Sequence, residues 1–311
     1  MKGVSLVVCT YDRAALLDRL LAALGRLEPA GPPPLEVVVV DDASRDDTPA
    51  VLARAAAADS RIRTLPGPGR GIAAARNLGV EGARGEWIAF CDDDQLPAPD
   101  WLAQLFATAN RRGARVVAGA RRLRFTGPEP PLDPRLRTYL GEEVWAGEER
   151  PLRGWELPNT GNVLLRRELF ADQGLFAPDL VEGGEDTDFF RRLHLAGEPM
   201  WTAPAAVVEH LCGPERAAPS WLLWRARRGG AAEARIRRLR GGLARGCLRW
   251  ALLAPLEGAL WLAAILAGRR RSGLYRRYVT AHALAFLRAA LRPGGKAVDF
   301  RLRGYEEKED G

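Results

Sequence analysis

An unbroken run of valines constrains the fold of this 311-residue chain more than any other feature of its sequence. Residues 35–40 show no alternation of apolar and polar side chains, which is typical of a strand covered on both faces. Similar short apolar runs at 4–9 and 87–91 alternate with helical patterns. This rhythm, with its short connections, predicts an α/β fold with a mostly parallel, doubly wound sheet flanked by helices.

Two regions of different composition divide the chain. Residues 1–213 carry the strand–helix rhythm, interrupted between 126 and 158 by a proline- and glycine-rich segment whose length is typical of functional loops. Residues 214–311 are rich in arginine and helical in pattern, and they end in a polar tail after Arg303. We therefore predict one α/β domain over 1–213 and a helical, basic region over 214–311.

Composition excludes several classes of protein. Lys and Arg number 46 against 39 Asp and Glu, and the resulting net charge of +7 favours an anionic partner. No two of the four cysteines have C-x-x-C spacing, so neither a zinc knuckle nor a redox motif is expected, and a reducing compartment is the default. The apolar run after Lys2 is too short for a signal peptide. No phosphate-binding G-x-x-x-x-G-K-[ST] motif occurs.

Acidic side chains follow two of the predicted strands at the point where each strand ends. Asp41 and Asp42 follow one, and Asp92, Asp93 and Asp94 follow another. Ligands of open parallel sheets bind at the carboxyl ends of the strands. Clustered carboxylates there repel one another unless a cation compensates them, and hard oxygen ligands suit Mg²⁺ or Mn²⁺. The alternative, turn residues and helix caps, fits less well because a turn does not require three acids in a row.

Five ordered blocks, taken together, resemble the inverting glycosyltransferases of family 2, which have the GT-A fold. The blocks are residues 7–12, 39–44, 75–79, 90–94 and 184–189, and the resemblance extends from Ser5 to about His210. The block at 90–94 occupies the position of the family's D-x-D motif. The resemblance implies a GT-A, Rossmann-like domain that transfers a sugar from a nucleotide diphosphate.

For the nucleotide, the resemblance implies a base pocket at the first two strand ends. Thr10, Tyr11 and Asp12 correspond to the wall of that pocket. Asp41 corresponds to the partner of the base, typically uracil, and Asp42 to a residue shared by base and ribose.

For the diphosphate and the metal, the resemblance assigns the next residues along the chain. Arg76 corresponds to the basic residue facing the diphosphate, Asp92 to the first acid of the motif, and Asp94 to the metal ligand. Asp93 has a supporting role, although the triple Asp leaves the choice between Asp93 and Asp94 open by one residue. His210 is either a further metal ligand or a hydrogen-bonded histidine at a strand end.

For the chemistry, Glu185 and Asp186 resemble the family's catalytic acid pair at the start of a helix. Asp186 is the candidate general base that deprotonates the acceptor hydroxyl, and the alternative role for it is a helix N-cap. Trp155 is either a sugar-stacking aromatic or a core residue.

Three other functions fit the sequence less well. Residues 67–71 precede a predicted helix, but their glycines lack G-x-G-x-x-G spacing and follow the third strand, which disfavours a dinucleotide-binding protein. A nucleotidyltransferase would carry a glycine-rich, basic loop near the N-terminus, and residues 10–15 lack one. A non-catalytic, membrane-recruited nucleotide- or glycan-binding protein remains the main alternative, which an Asp186→Asn variant would separate from an enzyme.

The arginine-rich region contains two apolar helical patterns, at 250–268 and 275–291. A central acid, Glu257, makes spanning of a bilayer marginal. We favour amphipathic helices lying on an anionic membrane surface over a helical cap packed on the α/β domain. Aromatic residues in a groove pattern are not evident, which disfavours nucleic acid as the partner.

The sequence thus predicts a metal-dependent, inverting glycosyltransferase using Mg²⁺ or Mn²⁺. We expect a UDP-sugar donor and a hydroxyl of a glycan or lipid-linked acceptor. The expected location is cytoplasmic, at the cytoplasmic face of the membrane.

Overall fold

The computed structural model describes residues 3–27, 35–154, 156–180 and 183–291, so Trp155 and the tail after Arg303 lie outside the described residues. The contacts of the chain divide it into two compact units. The first contains residues 1–126, 141–181 and 185–212, and the second contains 127–140, 182–184 and 213–311. Part of the irregular segment after residue 126 therefore groups with the arginine-rich region, and the simpler boundary near residue 213 stays a prediction.

The first unit is built on an eight-stranded sheet. Its strands are β1 (Val4–Thr10), β2 (Leu35–Asp41), β3 (Ile62–Pro66), β4 (Trp87–Cys91), β5 (Gln95–Pro97), β6 (Val116–Phe125), β7 (Asn162–Arg166) and β8 (Met200–Cys212). They lie in the order β3-β2-β1-β4-β7-β6-β8-β5. Neighbours among β3, β2, β1 and β4 are parallel, as are β6 and β8, whereas β7 and β5 run antiparallel to their neighbours.

Helices cover both faces of this sheet, as the valine run predicts. They are α1 (Ala14–Leu24), α2 (Thr48–Ala58), α3 (Ile72–Gly82), α4 (Trp101–Arg112), α6 (Glu168–Gln173) and α7 (Glu185–Leu195). Val37 and Val39 of β2 belong to one hydrophobic cluster, with α1 and α4, and Val38 belongs to the other, with α3 and α7. The valines of β2 are therefore buried on both faces of the sheet, which explains the lack of alternation in this part of the sequence.

A single amide side chain, that of Asn162, fixes a register shift between β6 and β8. Gly119 pairs with Ala203, but Ala120 pairs with Val207, so β8 bulges at this point. The Nδ2 atom of Asn162 donates to the carbonyl oxygens of Ala120 at 2.8 Å and Ala206 at 2.9 Å. Its Oδ1 atom accepts a hydrogen bond from the indole N–H of the buried Trp101 at 2.7 Å. The hydrogen bonds that the bulge removes from the ladder are thus replaced by one residue.

The second unit is helical. It contains α5 (Pro134–Arg137), α8 (Pro219–Arg240), α9 (Leu243–Leu266) and α10 (Arg270–Leu291), with short 3₁₀ turns at Thr138–Leu140 and Pro214–Ala217. The apolar patterns at 250–268 and 275–291 lie within the longer helices α9 and α10. In the part of the chain that the structure describes, α9 is the one helix long and apolar enough to cross a membrane, by length and composition alone.

A carboxylate joins the three long helices of this unit. Glu233 on α8 accepts hydrogen bonds from Arg237 at 2.8 Å and from the Trp250 indole of α9 at 3.2 Å, and its Oε2 lies 3.1 Å from Nε2 of His282 on α10. Helices α8 and α10 approach closely at Gly230, where an added Cβ would lie 2.2 Å from the carbonyl oxygen of His282. Any larger residue at Gly230 would force these helices apart.

Candidate active site

The acidic strand ends meet at one edge of the sheet, as the topology requires. Thr10 and Asp41 are register partners at the ends of the parallel strands β1 and β2. Strand β4, which precedes Asp92, pairs with the other side of β1. The carboxylates of Asp12, Asp41, Asp42 and Asp92 to Asp94 therefore originate at or just after the ends of three neighbouring strands, whereas Arg76 comes from α3 and His210 from β8.

Backbone amides hold the carboxylates of the first two strand ends. Asp42 accepts from the N–H groups of Gly69 and Gly71, both at 2.8 Å, so the glycine-rich turn folds over it. Asp41 accepts from Ser44 N–H at 3.0 Å. Asp12, which has a positive φ of 50°, accepts from Arg45 N–H at 2.6 Å, in the loop that follows β2. These hydrogen bonds join the loops that follow β1, β2 and β3.

Thr10 and Tyr11 complete this part of the site with opposite exposure. Thr10 is 3% exposed, whereas Tyr11 is 49% exposed and so is accessible to a ligand. Tyr11 presents an apolar face beside the fixed carboxylates, a combination that suits a nucleobase.

Arg76 is the centre of the next group. The guanidinium of this α3 residue is buried, donates to Glu185 of α7, and lies 3.2 Å from Asp92. Burial opposes its charge, but the attraction of Glu185 and Asp92 outweighs burial and raises the pKa of Arg76. Arg76 is therefore a permanent positive charge at the rim of the sheet.

Glu185 and Asp186 differ in environment although they are neighbours. Burial, opposed by Arg76 and reinforced by the charge of Asp186, raises the pKa of Glu185 to about 7. Asp186 is half-buried, and its Oδ1 accepts from Thr187 N–H at 2.6 Å. Both acids lie in the first turn of α7, where the helix dipole favours negative charge. Asp186 is thus a more exposed carboxylate next to a buried ion pair.

Asp93, Asp94 and His210 form the third group. Asp94 Oδ2 lies 3.3 Å from Nε2 of His210, because β8 brings His210 opposite Gln95 of β5. Arg13 bridges the two acids, with Nη1 2.9 Å from Asp93 Oδ1 and 3.2 Å from Asp94 Oδ2. Burial, opposed in part by Arg13, raises the pKa of Asp93 to about 6.

The residues present fit a divalent cation only as a partial ligand set. No group of three or more His, Cys, Asp and Glu side chains converges within the described ranges of the chain. Asp94 and His210 nevertheless offer a carboxylate oxygen and an imidazole nitrogen side by side. Mg²⁺ in nucleotide sites is usually held by one or two carboxylates plus substrate phosphates, so two protein ligands are compatible with it.

The structure also gathers residues that the sequence did not single out. Arg13 is one of them. Glu143 and Arg121 are two more, and both lie beside Asn159: Asn159 Nδ2 donates to Glu143 at 2.6 Å, and Arg121 Nη2 lies 3.7 Å from the same carboxylate. No local pattern marks these residues, because their partners lie far away in the sequence.

A cysteine nucleophile is not supported by the site. Cys9 lies near these charged groups, and burial raises the pKa of its thiol to about 12, so it is a neutral, partly buried residue packed against the core.

Comparison with known proteins shows the family of this chain. Residues 5–170 match the sequence model of Glycosyl transferase family 2. The succinoglycan biosynthesis protein ExoM of Rhizobium meliloti is 36% identical over 245 residues, which cover 75% of this chain and 74% of that protein.

Two solved structures share the fold. The mannosyltransferase PcManGT of Pyrobaculum calidifontis, in complex with GDP-Man and Mn²⁺, has a TM-score of 0.64 at 23% identity, covering 92% of this chain and 87% of that one. S. aureus TarS 1-349, in complex with UDP-GlcNAc, has a TM-score of 0.55 at 16% identity, covering 90% of each chain.

The sheet topology and the likeness to these solved structures show the GT-A fold, and the sequence matches show a glycosyltransferase. The chain belongs to glycosyl transferase family 2. The family resemblance of the five sequence blocks, the predicted fold class and the predicted enzyme class are thereby confirmed. Two relatives, ExoM and ExoO of Rhizobium meliloti, are named for succinoglycan biosynthesis.

Proposed function

We propose that this glycosyltransferase is metal-dependent and inverting, and that it transfers a sugar from a UDP-sugar to a hydroxyl of a glycan or lipid-linked acceptor. One observation carries the proposal. A buried, permanently charged Arg76 lies between Asp92 and Glu185, and Asp186 follows directly at the start of α7. A fixed cation beside a more exposed carboxylate matches a reaction in which a diphosphate leaves and a hydroxyl is deprotonated.

Arg76 stabilises the leaving group in this proposal. Charge develops on the diphosphate as its bond to the anomeric carbon breaks, and a preorganised cation in a poorly hydrated site stabilises that charge. Asp94 and His210 would hold Mg²⁺ or Mn²⁺, which when bound supplies further neutralisation of the diphosphate. Asp92 and Glu185 keep the guanidinium in place.

Asp186 acts as the general base. It accepts the proton of the acceptor hydroxyl while that oxygen attacks the anomeric carbon from the face opposite the diphosphate. Its exposure suits this role, since it is the acid of the pair that solvent and acceptor can reach. The relative ExoM, named for succinoglycan biosynthesis, supports a glycan acceptor.

A donor screen tests this function. Purified protein is incubated with UDP- and GDP-sugars, Mn²⁺ or Mg²⁺, and candidate acceptors, and released nucleotide diphosphate is measured. Asp186→Asn should lower turnover by about 10²- to 10⁴-fold while UDP still binds. Asp172→Asn, at an exposed acid of α6, is the matched control and should leave turnover unchanged. No turnover and no metal-linked nucleotide binding across the donors would sink the proposal.

We also propose that the second unit holds the enzyme at the cytoplasmic face of the membrane. Leu248, Leu252, Leu256 and Leu260 recur every four residues along α9 and are 39% to 68% exposed. Glu257, the acid of this helix, is neutralised by Arg276 of α10, whose Nη1 lies 2.7 Å from both carboxylate oxygens. An apolar stripe in an arginine-rich region suits an anionic bilayer surface.

Vesicle flotation tests the membrane proposal. The protein should float with vesicles containing anionic lipid and less with neutral ones. Leu252→Glu should abolish flotation, whereas Leu195→Glu, at an exposed leucine of α7, should not. Equal flotation of both variants with wild type would contradict a role for the α9 stripe.

A further inference from the structure

A carboxylate outside all five motif blocks is built into the same edge of the sheet. The backbones of Glu143 and Arg121 exchange two hydrogen bonds, of 2.7 and 2.9 Å. The Trp145 indole donates to the carbonyl oxygen of Gly119 at 2.9 Å. The segment that carries Glu143 is thus attached to β6 at two points, although its sequence shows no regular pattern.

The side chain of Glu143 is fixed as well. Asn159 donates to its Oε2 at 2.6 Å and accepts, through its own Oδ1, from Gly161 N–H at 2.9 Å. Arg121 lies 3.7 Å from the same carboxylate oxygen, and the Glu143 side chain is 17% exposed. A carboxylate held from two sides loses little freedom when it binds a ligand.

The position of Gly161 shows which groups lie next to this carboxylate. A Cβ added there would be 2.7 Å from Arg121 Nη1, 2.9 Å from Asp92 Oδ2 and 2.6 Å from Gln95 Nε2. Arg121, which contacts Glu143, and Asp92 are therefore both neighbours of Gly161. The charge of Asp186 also acts on Glu143, where burial is the main cause of a raised pKa.

Two donors in this cluster are buried without a partner. Within the described parts of the chain, Arg121 Nε and Gln95 Nε2 make no hydrogen bond. Buried donors are costly unless a ligand or water satisfies them. Unpaired donors beside the carboxylates of Asp92 and Glu143 match a ligand whose groups both donate and accept, as the hydroxyls of a sugar do.

We propose that Glu143 is a sugar-binding, specificity-determining residue, whose carboxylate accepts hydrogen bonds from hydroxyl groups of the transferred sugar or of the sugar acceptor. Asn159 and Arg121 act as positioning residues for it. The inference rests on the proposed function, because it assumes that the reacting sugars lie between Asp92 and Asp186.

Glu143→Gln tests the inference, because it keeps the shape and removes the charge. Binding of UDP, GDP, UDP-glucose, UDP-GlcNAc and GDP-mannose is measured by calorimetry with Mn²⁺, and the KM for the acceptor is measured by turnover. We expect about tenfold to hundredfold weaker nucleotide-sugar binding or a KM for the acceptor raised by the same factor, with UDP and GDP affinity unchanged. The first result assigns the hydroxyls to the donor and the second to the acceptor.

Glu148→Gln, at an exposed acid of the same segment, is the control and should match wild type. Asn159→Ala leaves the charge in place and removes its fixing bond, so it should change the same constant in the same direction by a smaller factor. Wild-type constants in Glu143→Gln would overturn the inference and leave the proposed function standing. Failure of the wild-type chain to bind any nucleotide sugar would overturn both.

Discussion

Replacing Glu233 by glutamine should loosen the helical unit without changing its shape. Glutamine fills the same space and still accepts hydrogen bonds, but it removes the charge that faces Arg237, 2.8 Å away, and His282, 3.1 Å away. Burial opposes the charged form of Glu233, yet the hydrogen bonds from His282 and Arg237 outweigh burial and lower its pKa to about 2. The folded unit therefore prefers the carboxylate strongly.

The magnitude follows from that shift. A pKa lowered from 4.5 to about 2 corresponds to about 3 kcal/mol of stabilisation by the charged form. The side chain is 25% exposed, and solvent screening reduces the effect to about 2 kcal/mol. Because the folded pKa is lowered, this stability is present above pH 4.5 and is lost as the pH falls towards 2.

Hydrogen exchange of the full chain, read by mass spectrometry, measures the effect where it arises. At about pH 7, amides in α8, α9 and α10 of Glu233→Gln should lose about thirtyfold protection, the equivalent of about 2 kcal/mol. After correction for the intrinsic exchange rate, the difference from wild type should shrink at about pH 3. Glu209→Gln removes an exposed ion pair with Arg124 and should change protection very little.

Two results would refute this reasoning. Equal protection of wild type and Glu233→Gln at about pH 7 would mean that the charge contributes nothing. A difference that stays constant down to about pH 3 would mean that packing, rather than the ionised carboxylate, is responsible.

Two further changes test the first unit. Gly79→Ala should lower the free energy of unfolding by about 1–3 kcal/mol in urea titrations, because the new methyl would lie 2.4 Å from a methyl of the buried Val7; unchanged stability would contradict the close packing of α3 on β1. Arg13→Gln removes the cation that bridges Asp93 and Asp94, so Mn²⁺ affinity without nucleotide, measured by electron paramagnetic resonance, should rise by about tenfold; weaker binding would show that Arg13 supports the cation site.

Strands with strong local patterns could be predicted from the sequence. The apolar runs at 4–9, 35–40 and 87–91 correspond to β1, β2 and β4, within one residue at their ends. Their burial on both faces is visible locally, since consecutive residues of such a strand are mostly apolar instead of alternating with polar ones. The acids at their ends were therefore correctly assigned to one edge of the sheet.

Elements whose stability depends on distant partners were missed. Strand β5 has three residues and forms only by pairing with β8, more than a hundred positions later. Helix α8 contains Gly229 and Gly230, which disfavour helices, and packing against α10 compensates for them. The roles of Arg13 and Glu143 escape sequence prediction for the same reason, because each contacts residues to which no local sequence pattern links it.

The amide of Asn162 has a consequence for the cation site. Substitution by an apolar residue would leave two backbone carbonyl oxygens and an indole N–H without hydrogen-bond partners. Strand β8 would also lose the hydrogen bond that fixes its register against β6. A slide by one residue turns every side chain of a strand to the other face, and would carry His210 away from Asp94. The contact between His210 and Asp94 thus depends on Asn162, which touches neither of them.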